Sequence, residues 1–375
     1  MKISSAFDGG NITCVKCDKA TDIQLEIRND QDSEFFQWFY FRLSGAGGQA
    51  CKLKIVNAGE AAYPKGWENY RAVASYDRID WFRVPTDYNG KILTIRHKPE
   101  QDSVYYAYFA PYAMERHHDL VAHCLQYPRT ALEVLGETVD GQEIDLLTIG
   151  EGMHKKHKIW AIARQHPGES MAEWWMEGFL ERLLDQYDAV ARALLDKAVF
   201  HIVPNMNPDG SRRGHLRTNA AGINLNREWQ EPSREKSPEV YWVRQRMEKT
   251  GVDFCLDVHG DEAIPHNFIA GPEGVPSFSK RQAKLLKNYK DALLQANPDF
   301  QLKHGYPANR PGKANLKIGA NWIAERFGCL SMTLEMPFKD VDDGTEQRQG
   351  WSPARSRALG RSNLDAIRAV LGNLR

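Results

Sequence analysis

No run in this 375-residue chain approaches the roughly 20 apolar residues that a membrane-spanning helix needs, so no membrane partner is expected. A net charge is also missing. Lys+Arg and Asp+Glu stand at 49 each, which argues against a general nucleic-acid or polyanion binder while leaving a local basic pocket open. Cysteine is scarce: six residues, scattered without a framework spacing. Residues 1–20 have no uninterrupted apolar segment behind a basic start, so no signal peptide is expected, and reduced thiols in a cytoplasm follow. Cys14-Val15-Lys16-Cys17 has no partner CxxC and reads as two strand or turn thiols. Internal repeats and low-complexity tracts are absent.

What is present suits a globular protein. The chain is 42% hydrophobic and 26% charged, enough to bury sizeable cores, and its length suggests two domains. Residues 21–111 favour strands. Segments 37–43 and 103–109 are aromatic and β-prone, and 51–56 and 91–96 alternate polar with apolar, the latter behind an Asn89-Gly90 turn. Short strands of period two predict an antiparallel β-sandwich. The boundary is expected at Pro128, giving units 1–128 and 129–375. A hairpin turn follows at 138–142. Strands at 158–164, 198–204, 252–258 and 329–334 then alternate with helices at 171–184, 237–249, 279–296, 318–327 and 352–370. That order predicts an α/β fold, an α/β/α unit with a mainly parallel mixed sheet.

Four polar signatures fall at the ends of these strands. They are His166-Pro167-Gly168-Glu169, Asn205 to Gly210, Asp257-Val258-His259 and Thr333-Leu334-Glu335. Ligands of open α/β sheets bind beyond the carboxyl ends of the strands, so the four should converge on one crevice. His166, Glu169 and His259 supply two imidazoles and one carboxylate. That is the donor set of a catalytic zinc with a fourth position open to water, so Zn2+ is expected. Glu335 lies outside the set and has the chemistry of a general base. Arg217, in Gly214-His215-Leu216-Arg217-Thr218, is the candidate for stabilising the oxyanion. Asn226 and Arg227 can grip a carboxylate, since a guanidinium fork matches it. Asn205 and Gly210 read as turn-shaping residues. Asp257 has two open readings: it orients an imidazole, or it is satisfied by backbone amides.

His166-xx-Glu169, Asn207-Pro208-Asp209-Gly210, Asn224-Leu225-Asn226-Arg227, His259 and Thr333-Leu334-Glu335 occur in the order found in zinc metallocarboxypeptidases of the pancreatic carboxypeptidase superfamily. The version here most resembles the cytosolic carboxypeptidase group. Tyr63 to Tyr70, Tyr76-Asp77 and Trp81 to Pro85 are similar to that group's N-terminal β-sandwich domain. The resemblance implies that His166, Glu169 and His259 bind zinc and that Glu335 is the catalytic carboxylate. Arg217 would stabilise the oxyanion, and Asn226 with Arg227 would hold the terminal carboxylate of a peptide or protein tail. It also implies a mobile tyrosine, for which Tyr306 is better placed than Tyr289. Relatives remove acidic C-terminal residues, often Glu. One of Arg310, Lys313 and Lys317 is expected to line such a pocket; the alternative is that all three belong to a solvated basic loop.

Two rivals remain at this stage. A zinc-dependent amidohydrolase or deacylase acting on N-acyl amino acids would use the same donor set. A binding protein with an inert zinc site would use the sandwich for recognition. The sandwich itself has two open roles, narrowing access to the active site or driving assembly into a homo-oligomer.

Overall fold

Period-two alternation in the first hundred residues becomes two five-stranded sheets. The computed structural model describes residues 1–152, 156–340 and 348–374. The first sheet orders the strands Lys2–Ser4, Tyr40–Ser44, Ser103–Ala107, Val73–Ser75 and Phe82–Arg83, all antiparallel. The second orders Thr13–Lys16, Ile23–Glu26, Cys51–Ile55, Leu93–His97 and Thr86–Tyr88. Along Cys51–Ile55 the residues Cys51, Leu53 and Ile55 are buried while Lys52 and Lys54 are half-buried, as the alternation requires. One pair departs from the expected antiparallel pattern: Ile23–Glu26 and Cys51–Ile55 run parallel. The strand between them in sequence, Tyr40–Ser44, belongs to the other sheet, so the chain re-enters the second sheet in its original direction.

The remaining chain forms a seven-stranded sheet. Its order is Thr130–Glu137, Glu143–Ile149, Ala198–Val203, His157–Ala163, Phe254–Asp261, Leu330–Pro337 and Phe268–Ala270. The central four strands are parallel, and the flanking pairs antiparallel. Alternate residues serve opposite faces. Ile159, Ala161 and Ala163 join the core under helices Met171–Leu183 and Pro353–Leu371, while Trp160 and Ile162 join a second core under helices Pro238–Thr250 and Gly319–Phe327. Three helices were not expected from sequence: Met114–Cys124, Ala189–Lys197 and Pro208–Arg213.

Candidate metal centre and its cavity

The strand His157–Ala163 is followed by Arg164, which takes a left-handed backbone (φ 58°) that a non-glycine residue adopts only when its surroundings hold it there. Its buried guanidinium does the holding. Nε donates to Pro167 O at 2.9 Å, Nη1 donates to Tyr112 O at 2.8 Å, and Nη1 also meets Glu173. The chain then turns through His166-Pro167-Gly168-Glu169. Gly168 is required by proximity: a Cβ there would stand 2.8 Å from Leu216 O. The same closeness lets Gly168 N donate to Leu216 O at 2.9 Å, tying this turn to the segment that carries Arg217.

His166, Glu169 and His259 are all buried and come together. His166 Nδ1 lies 2.7 Å from Glu169 Oε1, His259 Nδ1 lies 2.8 Å from Glu169 Oε2, and the two Nδ1 atoms are 3.2 Å apart. The outer ring nitrogens face acceptors. His166 Nε2 is 3.1 Å from Asn224 Oδ1. His259 Nε2 is 3.0 Å from Asp257 Oδ1, an ion-pair contact off the axis of a hydrogen bond. Asn226 Nδ2 is a more distant neighbour of that nitrogen, at 3.4 Å. Acceptors on the outside favour Nε2–H tautomers, which leaves both Nδ1 lone pairs turned towards the Glu169 carboxylate. Three acceptors facing one another repel unless a cation sits among them, so this donor set fits a divalent metal. Burial, assisted by Arg217, lowers His166 to about 4 and keeps that ring neutral as a ligand must be.

Glu335 sits beside His259 by register, since the two residues are paired across parallel strands. It is buried, its Oε1 is 3.5 Å from Tyr306 Oη, and its Oε2 has no protein partner among the described residues. Burial first, then the nearby Glu169, Asp261 and Glu262, push its carboxyl well above the usual range, with His259 opposing.

A cavity of about 350 Å³ opens over these groups. His166, Glu169, Arg217, Asn226, Arg227, His259, Tyr306 and Glu335 all line it, so the expected metal, catalytic and carboxylate-binding residues reach one space. Arg217 has its guanidinium over the rings of Phe35 and Tyr63, at 5.7 and 5.3 Å. Asn226 Oδ1 accepts from Gly319 N at 2.8 Å, and Arg227 Nη1 folds back onto Asn226 O at 2.6 Å. Tyr306 is 49% exposed and donates to Asp261 Oδ2 at 2.5 Å. Tyr289 lies buried on helix Lys280–Ala296 against Asn363, away from the cavity.

Asp257 takes the first of its two readings: Oδ2 accepts from Gln165 Nε2 at 2.7 Å and Oδ1 faces His259. Asn205 and Asn207 shape the turn: Asn205 Oδ1 accepts from Asn207 N at 2.8 Å, and Asn207 Oδ1 caps helix Pro208–Arg213 through Gly210 N at 3.0 Å. The expected basic lining is corrected. Arg310, Lys313 and Lys317 are exposed and none lines the cavity, because the chain before helix Gly319–Phe327 runs along the outside as turns. The lysine that lines the wall is Lys290, on helix Lys280–Ala296, together with Glu273. Sequence reasoning also missed Asp261, Glu262 and Tyr63 as lining residues. Tyr63 lies inside the motif Tyr63 to Tyr70, which was a usable signal; Lys290 carried none.

The sequence matches the cytosolic carboxypeptidase N-terminal domain family over residues 3–109 and the zinc carboxypeptidase family over residues 119–345. It is similar to a metallo-carboxypeptidase from Burkholderia cenocepacia, at 52% identity, 98% coverage of each chain and a TM-score of 0.96. A metallo-carboxypeptidase from Pseudomonas aeruginosa, solved in complex with (2-guanidinoethylmercapto)succinic acid, is 46% identical, with 100% of each chain covered and a TM-score of 0.97. Cytosolic carboxypeptidase 1 of Xenopus laevis is 28% identical over 324 residues, which is 72% of this chain and 26% of that protein. The chain therefore spans about a quarter of that curated relative.

Proposed function

This chain belongs to the zinc carboxypeptidase family, and from that premise we propose that it removes the C-terminal residue of peptides or protein tails, with His166, Glu169 and His259 holding the Zn2+. Family membership makes it a metallopeptidase, a hydrolase. A zinc ion at the three donors supplies Lewis acidity towards water and the scissile carbonyl. Glu335 accepts the proton of the attacking water and returns it to the departing amine. The Arg217 guanidinium faces the developing oxyanion. Asn226 and Arg227 hold the terminal carboxylate, and Tyr306 closes the open side of the cavity over the substrate. The observation that carries this reading is the convergence of two Nδ1 atoms and one carboxylate beside a buried carboxyl whose Oε2 has no partner among the described residues.

The preferred residue is proposed to be acidic, chiefly Glu, with Lys290 as the cation on the cavity wall in place of the exposed loop lysines. The ligand of the Pseudomonas relative, (2-guanidinoethylmercapto)succinic acid, joins two carboxylates to a cationic guanidine arm, so it supports a carboxylate-gripping site and lends no support to an acidic preference. A cytoplasmic location is proposed on the names of the curated relatives, and no helix among the described residues is long and apolar enough to cross a membrane. The two working units are taken as 1–128 and 129–375.

The test couples metal analysis to C-terminal release from peptides ending in Glu, Lys and Leu. About one Zn2+ per chain and release of single residues are expected. Glu335→Gln should cut turnover by about a thousandfold or more with zinc still bound. Full activity in that variant removes Glu335 as the base. A preference for Lys or Leu overturns the acidic pocket and leaves the carboxypeptidase reading standing.

A further inference from the structure

Beside its tie to Gly168, the segment that carries Arg217 is gripped by loop residues of the N-terminal unit. Asp30 is buried, and its carboxylate accepts from three consecutive backbone amides: Leu216 N at 2.6 Å, Arg217 N at 2.8 Å and Thr218 N at 2.9 Å. Thr218 Oγ1 adds a fourth bond at 3.1 Å. A buried carboxylate with several N–H donors is a strong, directional clamp, because each bond is charge-assisted in a medium that screens little. The clamp extends upstream along the same segment. Gln31 N donates to His215 Nε2 at 3.1 Å, and Asn11 Nδ2 donates to Gly214 O at 2.9 Å.

The guanidinium end is treated the same way. Phe35 and Tyr63 present ring faces to it, and among the described residues no acceptor lies within hydrogen-bonding distance of its nitrogens. Asp30 N donates to Phe35 O at 2.8 Å, so the clamp and one ring belong to a single tight loop. A cation on aromatic faces is oriented without being neutralised, which leaves its donors free for a ligand. The opposite arrangement, a carboxylate on the guanidinium, would compete with the oxyanion. Here the carboxylate grips the backbone instead.

We propose that the N-terminal sheet unit is part of the catalytic apparatus, with Asp30 as a positioning residue that fixes the Arg217 segment and Phe35 and Tyr63 aiming its guanidinium into the cavity. The proposal rests on the reading of Arg217 as the oxyanion group and gives the N-terminal unit a role that access control or assembly would not. Transition-state donors are worth most when already in place, and a displacement near 1 Å costs about a hundredfold in rate.

The test is a double-mutant cycle on the zinc-loaded enzyme, with kcat and KM measured separately and a phosphonate peptide as a mimic of the tetrahedral state. Arg217→Ala should lower kcat by about 10²–10³. Asp30→Asn, which keeps the shape but turns donors towards donors, should lower kcat by about 10- to 100-fold and weaken phosphonate binding in parallel, with little change in KM or zinc content. Combined with Arg217→Ala it should cost nothing further. Phe35→Leu, which leaves the clamp intact, should give a smaller loss of kcat and keeps the question open to measurement if Asp30→Asn does not fold. Losses that multiply in the double variant overturn the proposal, as does full activity of Asp30→Asn or of Phe35→Leu beside an impaired Arg217→Ala. Full activity of Arg217→Ala itself overturns the oxyanion reading instead.

Discussion

Asp257 does not line the cavity, yet it fixes which nitrogen of His259 is free to bind an ion. Outer-shell carboxylates of this kind set the tautomer and raise ligand basicity. Asp257→Ala is expected to weaken zinc retention by about 10- to 100-fold, measured by competition with a chromogenic chelator; unchanged retention would place the orienting role elsewhere. At this scale the sequence was informative where a residue's chemistry is rare at a strand end. His166, Glu169, His259 and Glu335 stood out because a core strand seldom terminates in such groups. Lys290 did not, since a lysine among the polar positions of helix Lys280–Ala296 looks the same whether it faces water or a cavity. Arg310, Lys313 and Lys317 misled for the converse reason: nearness to the catalytic strand in sequence says nothing about which way a turn faces.

Among the elements, helix Met114–Cys124 carries a buried histidine that ties it to two others. His117 Nδ1 is 2.8 Å from Glu173 on helix Met171–Leu183, and its Nε2 is 3.3 Å from Asp145 on strand Glu143–Ile149. Burial works against a charge there, but the two carboxylates outweigh it and raise His117 to about 9. A raised folded value means that the stabilisation is complete below the unfolded value of 6.5 and is lost as pH rises through about 9. The contribution is on the order of 3 kcal/mol. His117→Gln should therefore lower the melting temperature most at pH 6 and least at pH 9.5, and a pH-independent difference would refute the charged pair. The helix escaped notice in the sequence because its apolar positions, Met114, Leu120, Val121 and Cys124, are interleaved with histidines that read as polar. Helix Pro208–Arg213 was hidden by Asn207-Pro208-Asp209-Gly210, which has turn composition but starts a helix, with Asn207 as cap and proline in the first turn. Elements whose apolar periodicity runs unbroken, such as helices Met171–Leu183 and Lys280–Ala296, were legible.

The whole molecule behaves as one body across the sheet units. Arg83, with its side chain fully buried, donates Nη2 to Phe338 O at 2.9 Å, while its Nε sits 3.0 Å from Asp340 Oδ1. Asp340 also meets Arg71, and Tyr108 stacks on Phe338 with ring centroids 4.4 Å apart. Residues of the N-terminal sheets and of the seven-stranded sheet share one apolar cluster. Asp340→Ala would leave the Arg83 charge buried without its counter-ion and is expected to cost about 3 kcal/mol, read from urea unfolding. A single calorimetric transition should accompany it in both proteins, since the shared cluster denies either unit a separate melt. None of this pairing was visible in the sequence, where the partners lie more than two hundred residues apart.

The pairing of His259 with Glu335 across adjacent parallel strands has a further consequence. Neighbouring strands are spaced by their own ladder at about 4.8 Å, and a slip of one residue would turn Glu335 to the opposite face. The distance between a ligand and the neighbouring carboxyl is thus inherited from backbone geometry and needs no side-chain scaffolding to maintain it. Loops around the cavity are free to diverge, and with them the preference for one substrate over another, while the spacing at the centre stays constant.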